Sequence, residues 1–181
     1  MLFKTLVDGR SCHGGSLEWS LPHDGQPGKW HEVDGDIIKC ESGIHVTDAP
    51  AHWWKPGCMV YVVECDGVVG SCDDNDDRKI VCRRTRLLRE ATAEELDAQR
   101  IWSSGAHAWN GKGPCIVSDS ATVRASDSAT VRAWGSATVR ARADVTVISW
   151  RGSDAINLTE RAVCIDRSNR DEKPRVITAE D

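Results

Sequence analysis

The sequence predicts a mainly β chain: a small α+β amino-terminal domain over residues 1–100, a flattened β-solenoid built from octad repeats over residues 101–166, and a charged tail over residues 167–181. Three observations predict it. Ser120-Ala121-Thr122-Val123-Arg124-Ala125 recurs at a step of eight as Ser128–Ala133 and Ser136–Ala141, then degrades through Val145-Thr146-Val147; such short, fixed self-similarity marks a stacked solenoid. Trp102, Trp134 and Trp150 share a register of sixteen residues, with Ser118 in the intervening slot, so one coil spans two octads. Short apolar runs separated by Asp8-Gly9, Asp34-Gly35, Pro56-Gly57 and Asp66-Gly67 fill the first hundred residues, which is the punctuation of strands and turns.

Each octad alternates with the period of a strand. Ala121, Val123 and Ala125 fall on one face, Thr122 and Arg124 on the other, whereas a helix would leave no continuous apolar stripe. The connectors Ser126-Asp127-Ser128 and Trp134-Gly135-Ser136 are made of turn-forming residues. The expected inward rows are Val117, Ala125, Ala133 and Ala141, and beside them Cys115, Val123, Val131, Val139 and Val147. Continuing the register places Val163 and Ile165 inward as well. An antiparallel meander and a one-strand coil stacked between subunits share this periodicity. Side chains as small as Ala and Val favour two closely pressed sheets over a barrel. Arg124, Arg132 and Arg140 form an outward row, interspersed with Asp119, Asp127 and Asp144, a mixture that solvates a surface and blunts strand edges.

In the amino-terminal half, Leu2–Val7 reads as a first strand and Cys12-His13-Gly14-Gly15 as a loop admitting close approach. Leu17-Glu18-Trp19 alternates like a strand. Trp30–Val33 and Ile37–Cys40 are expected to pair as a hairpin about Asp34-Gly35. Asp48 is the expected N-cap of a short helix carrying Pro50, Trp53 and Trp54, and Met59–Glu64 a strand that turns at Asp66-Gly67. Cys72–Asp77 spaces acids like a calcium loop, but Arg78 occupies the glycine position and the distal glutamate is missing. Lys79–Arg89 is a basic strand, or two, and Thr92 with Glu95 forms a capping box starting a helix over about 93–102.

Residues 1–100 carry 12 basic and 18 acidic side chains, and the chain as a whole has a formal net charge of −5, which argues against nucleic acid or an anionic membrane as partner. No apolar run approaches the length that spans a bilayer. Eight cysteines without Cys-x-x-Cys spacing, after a start lacking a signal-peptide pattern, point to reduced thiols rather than a disulfide framework or zinc ribbon. Cys12, His13, Cys40 and His45 could in principle converge on a metal, but four scattered side chains of these types are more often ordinary buried thiols and packed imidazoles, and no metal or cofactor is expected.

The segments Cys12–Gly15, Gly28-Lys29-Trp30, Cys40-Glu41-Ser42-Gly43-Ile44-His45, Val63-Glu64 with Gly67, and Lys79-Ile80 leading to Arg89-Glu90 resemble a domain of unknown function found in tailed-bacteriophage and prophage proteins. That domain is often followed by short-period repeats. The resemblance spans about the first hundred residues. It departs at His13-Gly14-Gly15, where the family usually has Arg-Gly-Phe, and at Ile44, where it has Phe. It implies a phage or prophage origin, placing the protein in the host bacterial cytoplasm or the virion, and implies no established activity.

Two functions follow as expectations. The first is a non-enzymatic interaction module that binds a host or virion protein, with Trp53, Trp54, Trp134 and Trp150 as binding anchors. The alternative is a reduced ADP-ribosyltransferase-like or dinucleotide-binding domain. There His13, His45 and Glu64 follow the order of the His, aromatic and Glu elements by which such enzymes hold nicotinamide dinucleotide and polarise its glycosidic bond, although His45 replaces the stacking Tyr. A decaying repeat near residues 150–165 would leave an open β end, and with it a route to a homo-oligomer.

Overall fold

The computed structural model describes residues 1–38, 41–71, 78–152 and 154–180. It divides into two compact units, Met1–Glu95 and Leu96–Asp181, five residues earlier than the composition suggested.

Six strands build the first unit: β1 (Leu2–Val7), β2 (Arg10–Ser11), β3 (His31–Glu32), β4 (Ile44–Thr47), β5 (Met59–Ser71) and β6 (Lys79–Glu90). All pair antiparallel. β1 lies between β5 and β4, and β6 likewise pairs with both, so these four strands close on themselves. Inside are Leu6, Trp19, Ile44, Val46, Tyr61, Val63, Cys82 and Leu87, which form one buried cluster, and Phe3 is buried on the other face of β1. This half is more purely β than expected, with one 3-10 turn, Pro50–His52, in place of the short helix.

Four local expectations are corrected here. Asp48 does not cap the turn, which lacks a side-chain cap; its carboxylate is taken by the guanidinium of Arg78. The hairpin about Asp34-Gly35 does not form. β3 instead joins the edge of β6, His31 opposite Thr85, because a twelve-residue strand offers more pairing than the short Ile37–Cys40 run, of which Lys39 and Cys40 lie outside the described residues. Leu17–Trp19 contributes one bridge, Arg10 to Glu18, rather than a strand. β5 runs on through Asp66-Gly67 to Ser71, with Gly67 at a left-handed φ of 62° inside the paired strand and a bulge further on between Val68 and Gly70. The calcium-like segment 72–77 lies outside the described residues.

A short helix, α1 (Ala93–Ala98), carries the expected capping box: Thr92 N–H donates to Glu95 and Glu95 N–H to the Thr92 hydroxyl. It stops well before Trp102. Arg100 turns left-handed at φ 61°, and Ile101-Trp102 extend as β7, drawn into parallel pairing with Ile116 and Val117.

The second unit is the solenoid. One sheet stacks β7, β9 (Pro114–Val117), β11 (Thr130–Ala133), β13 (Thr146–Ser149) and β15 (Val163–Asp166); the other stacks β8 (Ala106–Trp109), β10 (Thr122–Ala125), β12 (Thr138–Ala141) and β14 (Ile156–Leu158). Val123 pairs with Val139 and Val131 with Val147 in parallel register, so a coil is two octads and two-sided. Val123, Val131, Val139 and Val147 are fully buried, as are Cys115 and the alanines between the sheets. At the corners Asp119, Asp127, Gly135 and Ala143 adopt φ of 50–60°; glycine and aspartate tolerate this region best, which explains the connector composition.

The last coil departs from the expected register. β15 pairs with β13 at an offset of seventeen, Cys164 opposite Val147, so Ala162 and Cys164 are buried while Val163 and Ile165 are only half-buried. One extra residue in the 150–155 corner exchanges the two faces of the strand. Nor is the tail merely a charged end: β16 (Arg175–Thr178) pairs antiparallel with β15 and lays Ile177 against the core. Its β-branched Val176-Ile177 satisfy an edge that would otherwise carry unpaired backbone groups. Among the described residues no helix is long and apolar enough to cross a membrane.

Candidate binding cleft of the amino-terminal unit

A cavity of about 410 Å³ opens on the first unit, walled by β1, β4, the start of β6 and the Ser11–Leu17 loop. The strand order creates it. Thr47 on β4 stands opposite Phe3 of β1 on one side and Lys79 of β6 on the other, so Lys4 and Lys79 flank β4 about two strand spacings apart, roughly 10 Å at the backbone. Both line the cavity, as do His13, His31, His45, Trp19 and Trp53.

The polar groups are tightly placed. Lys4 Nζ donates to the His45 carbonyl at 2.8 Å and lies 5.5 Å from the Trp19 ring centre. Lys79 Nζ lies 5.6 Å from the ring of Trp53. The His13 ring stands edge-on to Trp53 and contacts its carbonyl through Nε2, while His31 Nε2 accepts from the Ser20 amide at 3.0 Å. Burial, opposed by the Cys12 and Cys65 thiols and reinforced by Lys79, lowers Lys4 to about 8. Burial first, and then Lys79 and Lys4, hold His45 down at about 4. The Nε2 atom of His45 is buried with no hydrogen-bond partner.

The position of His45 has a consequence in pH. An unfolded His45 takes up a proton below about 6.5, whereas the folded one does so only near 4. The unfolded chain therefore binds more protons between those values, and stability falls as pH drops through that window. Wild type should lose more stability between pH 6.5 and pH 4 than His45→Gln does, measured by urea unfolding at both ends; equal losses would contradict this origin.

Of the residues expected to form a site, His13, His45 and Trp53 share the cavity. Glu64 does not line it. β5 buries Val63 and turns Glu64 outward, where it accepts from Arg86 Nε at 2.8 Å. Trp54 is half-buried and also lies off the cavity lining. Trp134 and Trp150, in the second unit, stack face to face at 4.4 Å and 3°, bracing adjacent coils. Cys12 hydrogen-bonds with Thr5, and no group of three or more metal-binding side chains occurs among the described residues; Cys40 lies outside them. The sequence reading missed Lys4, Lys79 and Trp19. The available signal was a lysine within the apolar run Leu2–Val7, since a charge inside a strand needs a reason.

An antiparallel β unit with a basic, aromatic cleft, joined in sequence to a parallel two-sided solenoid, defines a two-unit, repeat-bearing β protein. Residues 2–99 match the family described as Domain of unknown function (DUF7666), and the chain belongs to that family. No curated protein and no solved structure shows significant similarity to it.

Proposed function

We propose that this chain is a non-enzymatic interaction module of phage or prophage type, whose amino-terminal cleft receives a host or virion protein and whose solenoid serves as a rigid mount. One observation carries the reading: the cleft gathers His13, His45, Lys4, Lys79, Trp19 and Trp53, while Glu64 stands outside it in an ion pair with Arg86. Aromatic and basic side chains around an apolar recess suit recognition. In affinity capture from host lysate, in the host cytoplasm or from virions, the full chain should retain a defined partner that Trp53→Ala loses; equal capture by both proteins would overturn the role of the cleft.

The ADP-ribosyltransferase-like or dinucleotide-binding reading keeps one favourable observation, that His13 and His45 line the same cavity. Hydrolysis of nicotinamide dinucleotide that Glu64→Gln abolishes without unfolding would establish this second reading and displace the first.

A further inference from the structure

The cleft is short of carboxylates: the acidic groups that act on Lys4 are the thiols of Cys12, held down to about 5, and Cys65. Lys4 and Lys79 both line it, and neither forms an ion pair with a carboxylate among the described residues. Lys4 donates to one carbonyl, and the two ammonium groups lie by the rings of Trp19 and Trp53. An ammonium drawn from water toward a protein wall is costly unless an anion meets it. Glu32 reaches the lining but is exposed and pairs with neither lysine.

Resting on the reading of this cleft as the recognition site, the geometry points to a phosphoryl group as what it binds, carried on an apolar or aromatic body. Charge decides between oxyanions. Two ammonium groups match a phosphate monoester, which bears about −1.5 to −2 at neutral pH, whereas a carboxylate would leave one of them uncompensated. Lysine recognises phosphate as a point charge, without needing the fork of an arginine. Gly14 and Gly15, at φ 93° and 99°, have no atom within 4 Å of where a side chain would project, so an oxygen-rich group can come close to that backbone. The volume of about 410 Å³ exceeds what a bare phosphate fills and lies in the range of small organic ligands. The flanking indoles would cover the rest of the molecule.

Titration calorimetry on the full chain at pH 7 tests this with phenyl phosphate, benzoate, inorganic phosphate and a phosphotyrosine peptide. Phenyl phosphate should saturate the site and bind roughly tenfold or more tighter than benzoate, with inorganic phosphate weaker for want of the ring. Lys79→Met and Lys4→Met should each weaken phenyl phosphate about tenfold or more, and Arg124→Gln, in the other unit, should leave it unchanged. Should Lys4→Met fail to fold, Lys79→Met alone carries the comparison. Peptide binding as tight as phenyl phosphate would assign the phosphoryl group to a protein partner, and weaker peptide binding to a free phosphomonoester. Absence of saturation at millimolar phenyl phosphate, benzoate binding equally well, or an unaffected Lys79→Met would overturn the assignment. If that happens while capture of a partner still depends on Trp53, only the phosphoryl assignment falls; if phenyl phosphate binds and no partner is captured, the site stands and the protein partner falls.

Discussion

Val131→Asp is expected to unfold the solenoid unit. Val131 is fully buried and lies between Cys115 and Val147 in parallel register, within one core that includes Val123 and Val139. That core is lined by alanine, valine and cysteine, so the two sheets lie close together and nothing nearby can pair a carboxylate. A buried unpaired charge costs about 3–5 kcal/mol or more, a large share of the roughly 5–15 kcal/mol that holds a domain folded. Hydrogen exchange should show protection lost across strands β9 to β15, and the unit should melt far earlier. Unchanged melting would mean that position 131 does not face the core.

Gly28→Ala should be the most damaging change of one methyl group in the first unit. A Cβ there would stand 1.9 Å from the Ser20 carbonyl oxygen and 3.0 Å from its carbon, with backbone rather than a flexible side-chain tip in the way. The Gly28 amide also donates to the carbonyl of Leu87, a fully buried residue, at 2.9 Å, so the strand behind cannot yield. A cost of about 2–4 kcal/mol follows. The cleft should suffer too, because Trp19 forms part of its wall and the Ser20 amide holds His31. Gly14→Ala is the contrast: its surroundings are open, and only the left-handed backbone opposes it, at about 1–2 kcal/mol. Chemical denaturation of the two variants measures the difference, and equal stabilities would refute the clash.

The glycines of the amino-terminal segments thereby acquire separate reasons. Gly28 marks a close approach of two backbones. Gly43, at φ 136°, would set a Cβ 2.4 Å from Val81 Cγ2, so it lets β4 lie against β6 and brings His45 to the cavity. Gly14 and Gly15 mark an open rim. One residue type in one family's pattern thus serves packing in two places and access in a third.

What the amino-acid sequence determined by itself was everything local and periodic. The alternation of Ala-Thr-Val-Arg-Ala set the inward face, the sixteen-residue recurrence of tryptophan set the coil, and Thr92 with Glu95 set the start of α1, because each is encoded within a few residues of where it acts. The tertiary structure alone decided what depends on distant partners. Cys164 rather than Val163 faces inward because one added residue between β13 and β15 inverts a strand, and a period of two holds no memory of an insertion. Residues 175–178 became a strand because β15 had an edge to complete. Lys4 and Lys79 flank β4 and line one cavity only because β1 and β6 both pair with that strand. Nothing near either lysine in the chain specifies the other: their placement, and with it the charge of the cleft, arises from pairings between strands some thirty to forty-five residues apart in the chain.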